Sequence, residues 1–182
     1  MPVQFRTKPG NMSSSPSTTR RIRRSYESGH VPKLLALVDE SRDCDKAVYY
    51  AARRASRLKS ILVLLRVIEP PHPETDWLLV SNIVRAQAQD EAQKLLEEHA
   101  KQAHGIADVR IETFVREGDP AEQIFELIRE DDDVALLVLA AGSTEKGPGR
   151  LVSDLARTAG TYPVPVVIVP AHLTDSELVA LS

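Results

Sequence analysis

The sequence predicts an α/β fold, an open five-stranded parallel sheet with helices on both faces. Two observations carry this reading. Continuous apolar segments of strand length recur along the chain, and strands that are apolar on both faces belong in a parallel sheet covered on both sides. Between them lie segments whose apolar residues return every three or four positions, as helices require. Regular alternation of the two patterns implies crossover connections between parallel strands.

The elements follow in order. "LLALV" (34–38) is the first strand segment and "ILVLLRVI" (61–68) the second. Between them, residues 43–58 place Ala47, Val48, Ala51, Ala55 and Leu58 on one helical stripe. Residues 78–103 predict the second helix, with Val84, Ala88, Ala92, Leu95 and His99 at three- and four-residue steps; His99 reads as a packed residue of that stripe. "VRIETFV" (109–115) alternates instead, with Val109, Ile111, Thr113 and Val115 on one face, which suits a strand at a sheet edge. In "GDPAEQIFELI", Asp119 is the N-cap, Pro120 the first helical residue and Glu122 the capping-box partner. "VALLVLAA" (134–141) is the fourth strand, and Val152, Leu155, Ala156 and Ala159 stripe the fourth helix. "VVIV" (166–169) is the fifth strand, with Gly160 read as the C-cap of the helix before it. In "LTDSELVAL" (173–181), Thr174 and Glu177 have capping-box spacing and Leu173 and Leu178 that of a hydrophobic staple, so a short helix docked by Leu178 and Leu181 is expected.

Three segments result: a basic, unstructured tail over 1–32, a domain over 33–170 and a short helical segment over 171–182. The tail expectation rests on "NMSSSPSTTRRIRRS", which lacks apolar periodicity. Net charge is −3, yet residues 1–33 hold seven Lys and Arg against one Glu. The body is therefore acidic and unsuited to nucleic acid. Apolar runs reach only about eight residues, against roughly 20 for a membrane helix. With no signal-peptide pattern and the single Cys44, the expected address is the cytoplasm.

Open α/β sheets bind ligands beyond the carboxyl ends of strands where strand order reverses. "VDESRD" after the first strand and "AAGSTEKGPGRLVSD" after the fourth would meet there. The second begins like an anion-binding loop, since glycines before a helix start let free backbone N–H groups face a phosphate. A dinucleotide fingerprint is missing: Asp39 and Glu40 stand where glycines would approach pyrophosphate. A Walker loop is missing too, because Arg150 and Leu151 follow Gly149. Asp39-Glu40 resembles the acidic pair of receiver domains, but no lysine follows the fifth strand. The five histidines are scattered without metal-ligand spacing, and no nucleophile–base arrangement can be drawn, so no enzyme is expected. Trp77 and "EPPHPETD" (69–76) make a proline-rich connection.

"LLALVDES", "VIEPP", "REGDPAEQI", "LVLAAGS" and "PVPVVIVP" occur in the order seen in universal stress proteins, a resemblance covering residues 33–170. It implies a Rossmann-like sheet of strand order 3-2-1-4-5, a homodimer and, in one branch of the family, ATP between the first and fourth strand ends. That branch carries Gly, two residues, Gly, nine residues, then Gly-Ser or Gly-Thr. Here Gly142-Ser143 matches the start, and Gly147 and Gly149 supply glycines at a different spacing, with a shorter loop. Asp39 matches the family's acidic residue near the nucleoside, and Val38 and Val67 match positions lining an adenine pocket.

The nucleotide-site expectation thus comprises Val38, Asp39, Val67, Gly142, Ser143, Gly147, Gly149, Arg150, Val152 and Ser153. ATP or a relative is the expected ligand, Arg150 pairing with phosphate oxygens. Two function classes stay open: a nucleotide-responsive stress protein without fast catalysis, and a ligand-free dimeric interaction protein of the same fold. For either, a homodimer through the fifth strand is expected. Pro165 and Pro170 limit its free apolar edge, and a second copy would cover it.

Overall fold

The computed structural model describes residues 22–70, 82–142 and 149–182, excluding the side chains of Thr158 and Ala159. The elements are β1 (Lys33–Leu37), α1 (Arg42–Arg57), β2 (Ile61–Ile68), α2 (Asn82–Ile106), β3 (Arg110–Glu117), α3 (Pro120–Glu130), β4 (Val134–Ala141), α4 (Arg150–Thr158), β5 (Val166–Pro170) and α5 (Asp175–Leu181). The five strands form one parallel sheet in the order β3-β2-β1-β4-β5, as expected.

Alternation along the central strands sorts the core into two layers. Leu62 and Leu64 of β2 pack beneath α1, α2 and α5 with Leu34, Ala36, Val48, Leu96 and Leu178. Ile61, Val63, Leu65 and Val67 pack on the opposite face, beneath α3 and α4, with Ile124, Ile128, Val152 and Leu155. Helix α1 lies flat on the sheet because its inner face is alanine-rich: Ala47, Ala51, Ala52 and Ala55 are fully buried. Leu58, expected on that stripe, is instead the C-cap and 41% exposed, since Lys59 turns the chain away with φ +52°.

Helix α2 buries Ala92, Leu96, His99 and Ala103, while Val84 is exposed and Leu95 half-buried. Length explains the difference. Its 25 residues span about 37 Å against about 26 Å for an eight-residue strand, so its first turns overhang the sheet. His99 packs as expected: Nδ1 donates to the Leu95 carbonyl at 2.9 Å, and Nε2 lies 3.3 Å from Asp45 Oδ1. Edge strand β3 carries Arg110, Glu112 and Arg116, charges that discourage edge pairing.

Helix α3 begins where the sequence indicates. Asp119 Oδ1 accepts from the N–H groups of Ala121 and Glu122, and Pro120 is the first helical residue. Gly118 before it has φ +136°, and a Cβ there would lie 3.2 Å from Gln123 Nε2. Helix α4 opens at Arg150, two or three residues before the apolar stripe suggested. It closes in a 3-10 turn, Ala159–Thr161, rather than in a left-handed C-cap at Gly160.

The capping box of α5 is complete, and Leu178 is fully buried with Leu173 packed beside it. Leu181, expected to dock as well, is 57% exposed because the seven-residue helix ends one turn past Leu178. Residues 22–32, read from the sequence as part of an unstructured tail, are seated on the α3–β4 turn. Arg24 N donates to the Asp132 carbonyl, Ser25 is buried, and His30 Nδ1 lies 2.6 Å from Asp133 Oδ1. Polar contacts to backbone, not apolar periodicity, hold this segment, so the pattern search passed over it. Residues 1–21 of the expected tail and residues 71–76 and Trp77 of the proline-rich connection lie outside the described residues.

Candidate functional site

Strand order reverses at β1, whose neighbours are β2 and β4. From the carboxyl ends of β1 and β4, helices α1 and α4 leave on opposite faces of the sheet, opening a crevice between two connections. The pairing of Ala36 with Val138 carries the chain after β1 alongside the last residues of β4.

The β1 side is a tight, acidic turn. Val38 N still donates to the Leu65 carbonyl, which holds the turn against β2. Asp39, half-buried, accepts from Ser41 N at 2.8 Å, and Ser41 Oγ accepts from Cys44 N as the N-cap of α1. Asp43 and Asp45 occupy the first turn of α1, so this helix start repels anions. The half-buried Asp39 carboxylate is suited to accept hydrogen bonds from hydroxyl groups.

The β4 side has the opposite character. The first turn of α4 carries no acidic residue. Gly149 enters it at φ +92°, a conformation that strains any residue with a Cβ. Ser153 makes the first intrahelical bond, through its N–H to the Gly149 carbonyl at 3.1 Å, and its Oγ donates to the same oxygen. The N–H groups of Arg150, Leu151 and Val152 thus precede the helical ladder and, with the helix dipole, favour an anion. Arg150 is 83% exposed with Nε 3.7 Å from Asp154 Oδ2, a loose surface pair that leaves the guanidinium free to turn.

Of the ten expected site residues, the fold brings Asp39 and Gly142 to neighbouring strand ends and sets Gly149, Arg150 and Ser153 at the start of α4. Val38, Val67 and Val152 are core residues. Val38 packs beneath α1, whereas Val67 and Val152 pack beneath α3 and α4, so the two valines matched to an adenine pocket do not share a face. Ser143 and Gly147 lie outside the described residues.

Sequence reasoning missed Arg66. Its Nη2 donates to Glu40 Oε1 at 2.7 Å, bridging the end of β2 to the β1–α1 turn. The signal was present: Arg66 is the one charge in the run "ILVLLRVI". Nucleophilic chemistry has little to work with nearby. Burial pushes the Cys44 thiol up to about 12, and it stays protonated against the Leu37 carbonyl. No group of residues suited to a metal ion exists among the described residues. No helix of the described residues is long and apolar enough to cross a membrane.

A second depression, about 370 Å³, opens at the amino ends of β1 and β4 between Phe114, Leu127, Arg116 and the Asp131–Asp133 turn. Its charges are already paired: Arg116 with Glu130 and His30 with Asp133 within the lining, and Asp131 with Lys33 and Asp132 with Arg23 beside it.

The family model described as the Universal stress protein family matches residues 31–170. Among solved structures, the chain is similar to the universal stress protein UspA from Lactobacillus plantarum, at 20% identity and TM-score 0.64 over 76% of this chain and 97% of that one. It is also similar to a universal stress protein in complex with cAMP, at 21% identity and TM-score 0.59 over 77% and 97%. A third is a protein of the universal stress protein family from Burkholderia pseudomallei, at 21% identity and TM-score 0.58 over 76% and 95%. None of the curated proteins matches.

Proposed function

The chain belongs to the universal stress protein family, and on that premise we propose that it is a stress-response protein binding ATP or a related nucleotide without fast catalysis. One observation carries the nucleotide reading: the acid-free, glycine-entered start of α4 stands across the β1–β4 crevice from the half-buried Asp39 carboxylate. The helix start suits phosphate and Asp39 suits sugar hydroxyls. That a protein of the same fold has been crystallised with cAMP supports the reading.

ATP is the ligand we favour, bound through means other than the family's usual glycine spacing, with Arg150 closing on phosphate oxygens. Among the described residues the groups at the crevice are the Asp39 carboxylate, backbone donors, the Arg150 guanidinium and the Ser153 hydroxyl, which is bonded to the Gly149 carbonyl, so any hydrolysis is slow. We further propose a homodimer joined through β5 and, since the single Cys44 is buried and forms no internal disulfide, residence in the cytoplasm.

Gentle purification followed by mass spectrometry of released small molecules tests the reading, with calorimetric titration of ATP into emptied protein. Arg150→Ala should weaken binding by roughly 1–3 kcal/mol, the range for charge-assisted bonds. Equal affinity in the two proteins removes Arg150 from the site. No bound nucleotide and no titration heat would leave the alternative, a ligand-free dimeric interaction protein of the same fold.

A further inference from the structure

The outward face of α1 is a stripe of cations and tyrosine. Arg42, Lys46, Tyr49, Arg53 and Arg57 recur at three- and four-residue steps, opposite the buried Val48, Ala51 and Ala55. From Lys46 to Ile68 the chain carries no carboxylate side chain, although the body of the protein is acidic. Such a stripe costs stability. Like charges four residues apart repel, as Arg42 with Lys46 and Arg53 with Arg57, and Arg42 opens the helix where the dipole disfavours a cation.

Two members of the stripe hold the fold together. Lys46 donates to the Ala171 carbonyl, and Arg57 donates to the carbonyls of Val179 and Ser182, so both clamp α5. Arg53 makes no such contact. Its guanidinium lies over the Tyr49 ring, 5.8 Å from the centroid, and its Nε is buried without a hydrogen-bond partner. Other half-buried cations meet a carboxylate: Lys33 with Glu112, Arg23 with Asp132, Arg66 with Glu40 and Arg116 with Glu130. Arg53, equally half-buried, has none among the described residues. It bears a desolvation cost that a bound carboxylate would offset.

We infer that this face of α1 docks an acidic protein segment, whose carboxylates meet Arg53 and Arg42 while Tyr49 supplies apolar surface and a hydroxyl. The stripe is one helix wide and its neighbours are acidic: α2 exposes Asp90, Glu91, Glu97 and Glu98, and α5 exposes Asp175 and Glu177. A narrow chain of carboxylates fits between them. A broad phosphate surface, whether nucleic acid or anionic membrane, meets those carboxylates as well and is repelled. This docking face is independent of the nucleotide reading.

Fluorescence anisotropy of a labelled oligoglutamate peptide, titrated with the full chain at low salt, tests this. Binding should weaken steeply as salt rises. Arg53→Gln should lose about fivefold in affinity and Arg42→Gln about threefold, the scale of charge pairs at a partly screened surface. Arg53→Lys should recover part of the loss, because it keeps the charge but not the stacked fork. Replacing Arg20 and Arg21 of the basic N-terminal segment with Gln is the control and should leave the affinity unchanged. If Arg53→Gln fails to fold, Arg42→Gln, at an exposed position, still decides the matter. Unchanged affinity in both stripe variants, or a loss confined to the Arg20 and Arg21 variant, would overturn the inference, as would wild-type protein that does not bind the peptide. Tighter binding of oligothymidylate or of phosphatidylserine vesicles than of the peptide, lost in Arg53→Gln, would overturn the choice of partner.

Discussion

Arg23 Nη1 donates to the carbonyl oxygen of Asp131 at 2.8 Å and also to that of Ile128, so one guanidinium closes the carboxyl end of α3. The last carbonyls of a helix lack intrahelical donors, and a cation there meets both the hydrogen-bonding need and the dipole. Arg23→Ala should therefore cost about 1–3 kcal/mol of stability. Arg24 is the control: its side chain pairs with Glu27 in solvent, and Arg24→Ala should cost under about 0.5 kcal/mol. Denaturant melts of both variants check this. Equal losses would mean that the segment is held by general charge and not by the cap.

Lys33 joins three elements at the same end of the sheet, with Nζ 2.8 Å from Glu112 on β3 and 2.8 Å from Asp131 after α3. Burial pulls its ammonium down, but the hydrogen bonds and charges of Asp131 and Glu112 outweigh it and leave it above the ordinary 10.5. A raised cation contributes stability that is fully present below its unfolded value and is lost as pH rises through the folded one. The cost of Lys33→Met, about 1–3 kcal/mol, should hold level from about pH 6 to 9 and shrink only above about pH 10.5. Melting temperatures across that range are the check, and a difference that already fades by pH 8 would contradict the pairing.

The open parallel sheet was legible because the strand segments are apolar runs alternating with helical stripes and Asp119-Pro120 marks a helix start without ambiguity, whereas the strand order came from the family resemblance. What escaped has physical reasons. Residues 22–32 bury little apolar surface and are fastened by Arg23, Ser25 and His30 to backbone and carboxylates far along the chain, contacts with no local periodicity. Leu58, Val84 and Leu181 fit their helical stripes by spacing but lie at helix ends beyond the reach of the sheet. At the site, Asp39 and the start of α4 could be placed from motifs. The Arg66–Glu40 pair could not, since it depends on the lateral neighbour relation of β2 and the β1–α1 turn.

The C-terminal helix α5 is held at three points. Leu178 is fully buried, Lys46 of α1 donates to the Ala171 carbonyl, and Arg57 of α1 donates to the carbonyls of Val179 and Ser182. Leu178→Ala should cost about 2–4 kcal/mol through lost burial and a residual cavity. Thr174→Ala, which removes half of the capping box, should cost about 1 kcal/mol, and Leu181→Ala almost nothing. Hydrogen exchange offers an independent check, since α5 amides should be protected well beyond random-coil rates. Rates as fast as a coil's would mean that the helix is not docked.

The final prediction concerns the free edge of β5. Leu137 N donates to the Pro165 carbonyl, so by alternation the polar groups of residues 165, 167 and 169 face β4 while those of Val166 and Ile168 face outward. Ile168 is also 41% exposed, in contrast to the buried Val169. An apolar strand with open N–H and C=O groups is a pairing template, and the same strand of a second copy, antiparallel about a two-fold axis, satisfies both copies at once. Ile168→Lys puts a charge into that junction without touching the core and should give a folded monomer. Val167→Lys is a poorer probe, because Val167 packs against the core beneath α1 and α5 and a lysine there should destabilise the fold itself. Sedimentation at micromolar concentration should find wild type at twice its 20.1 kDa chain mass and Ile168→Lys at one chain. Wild-type protein that sediments as a clean monomer would exclude pairing through β5.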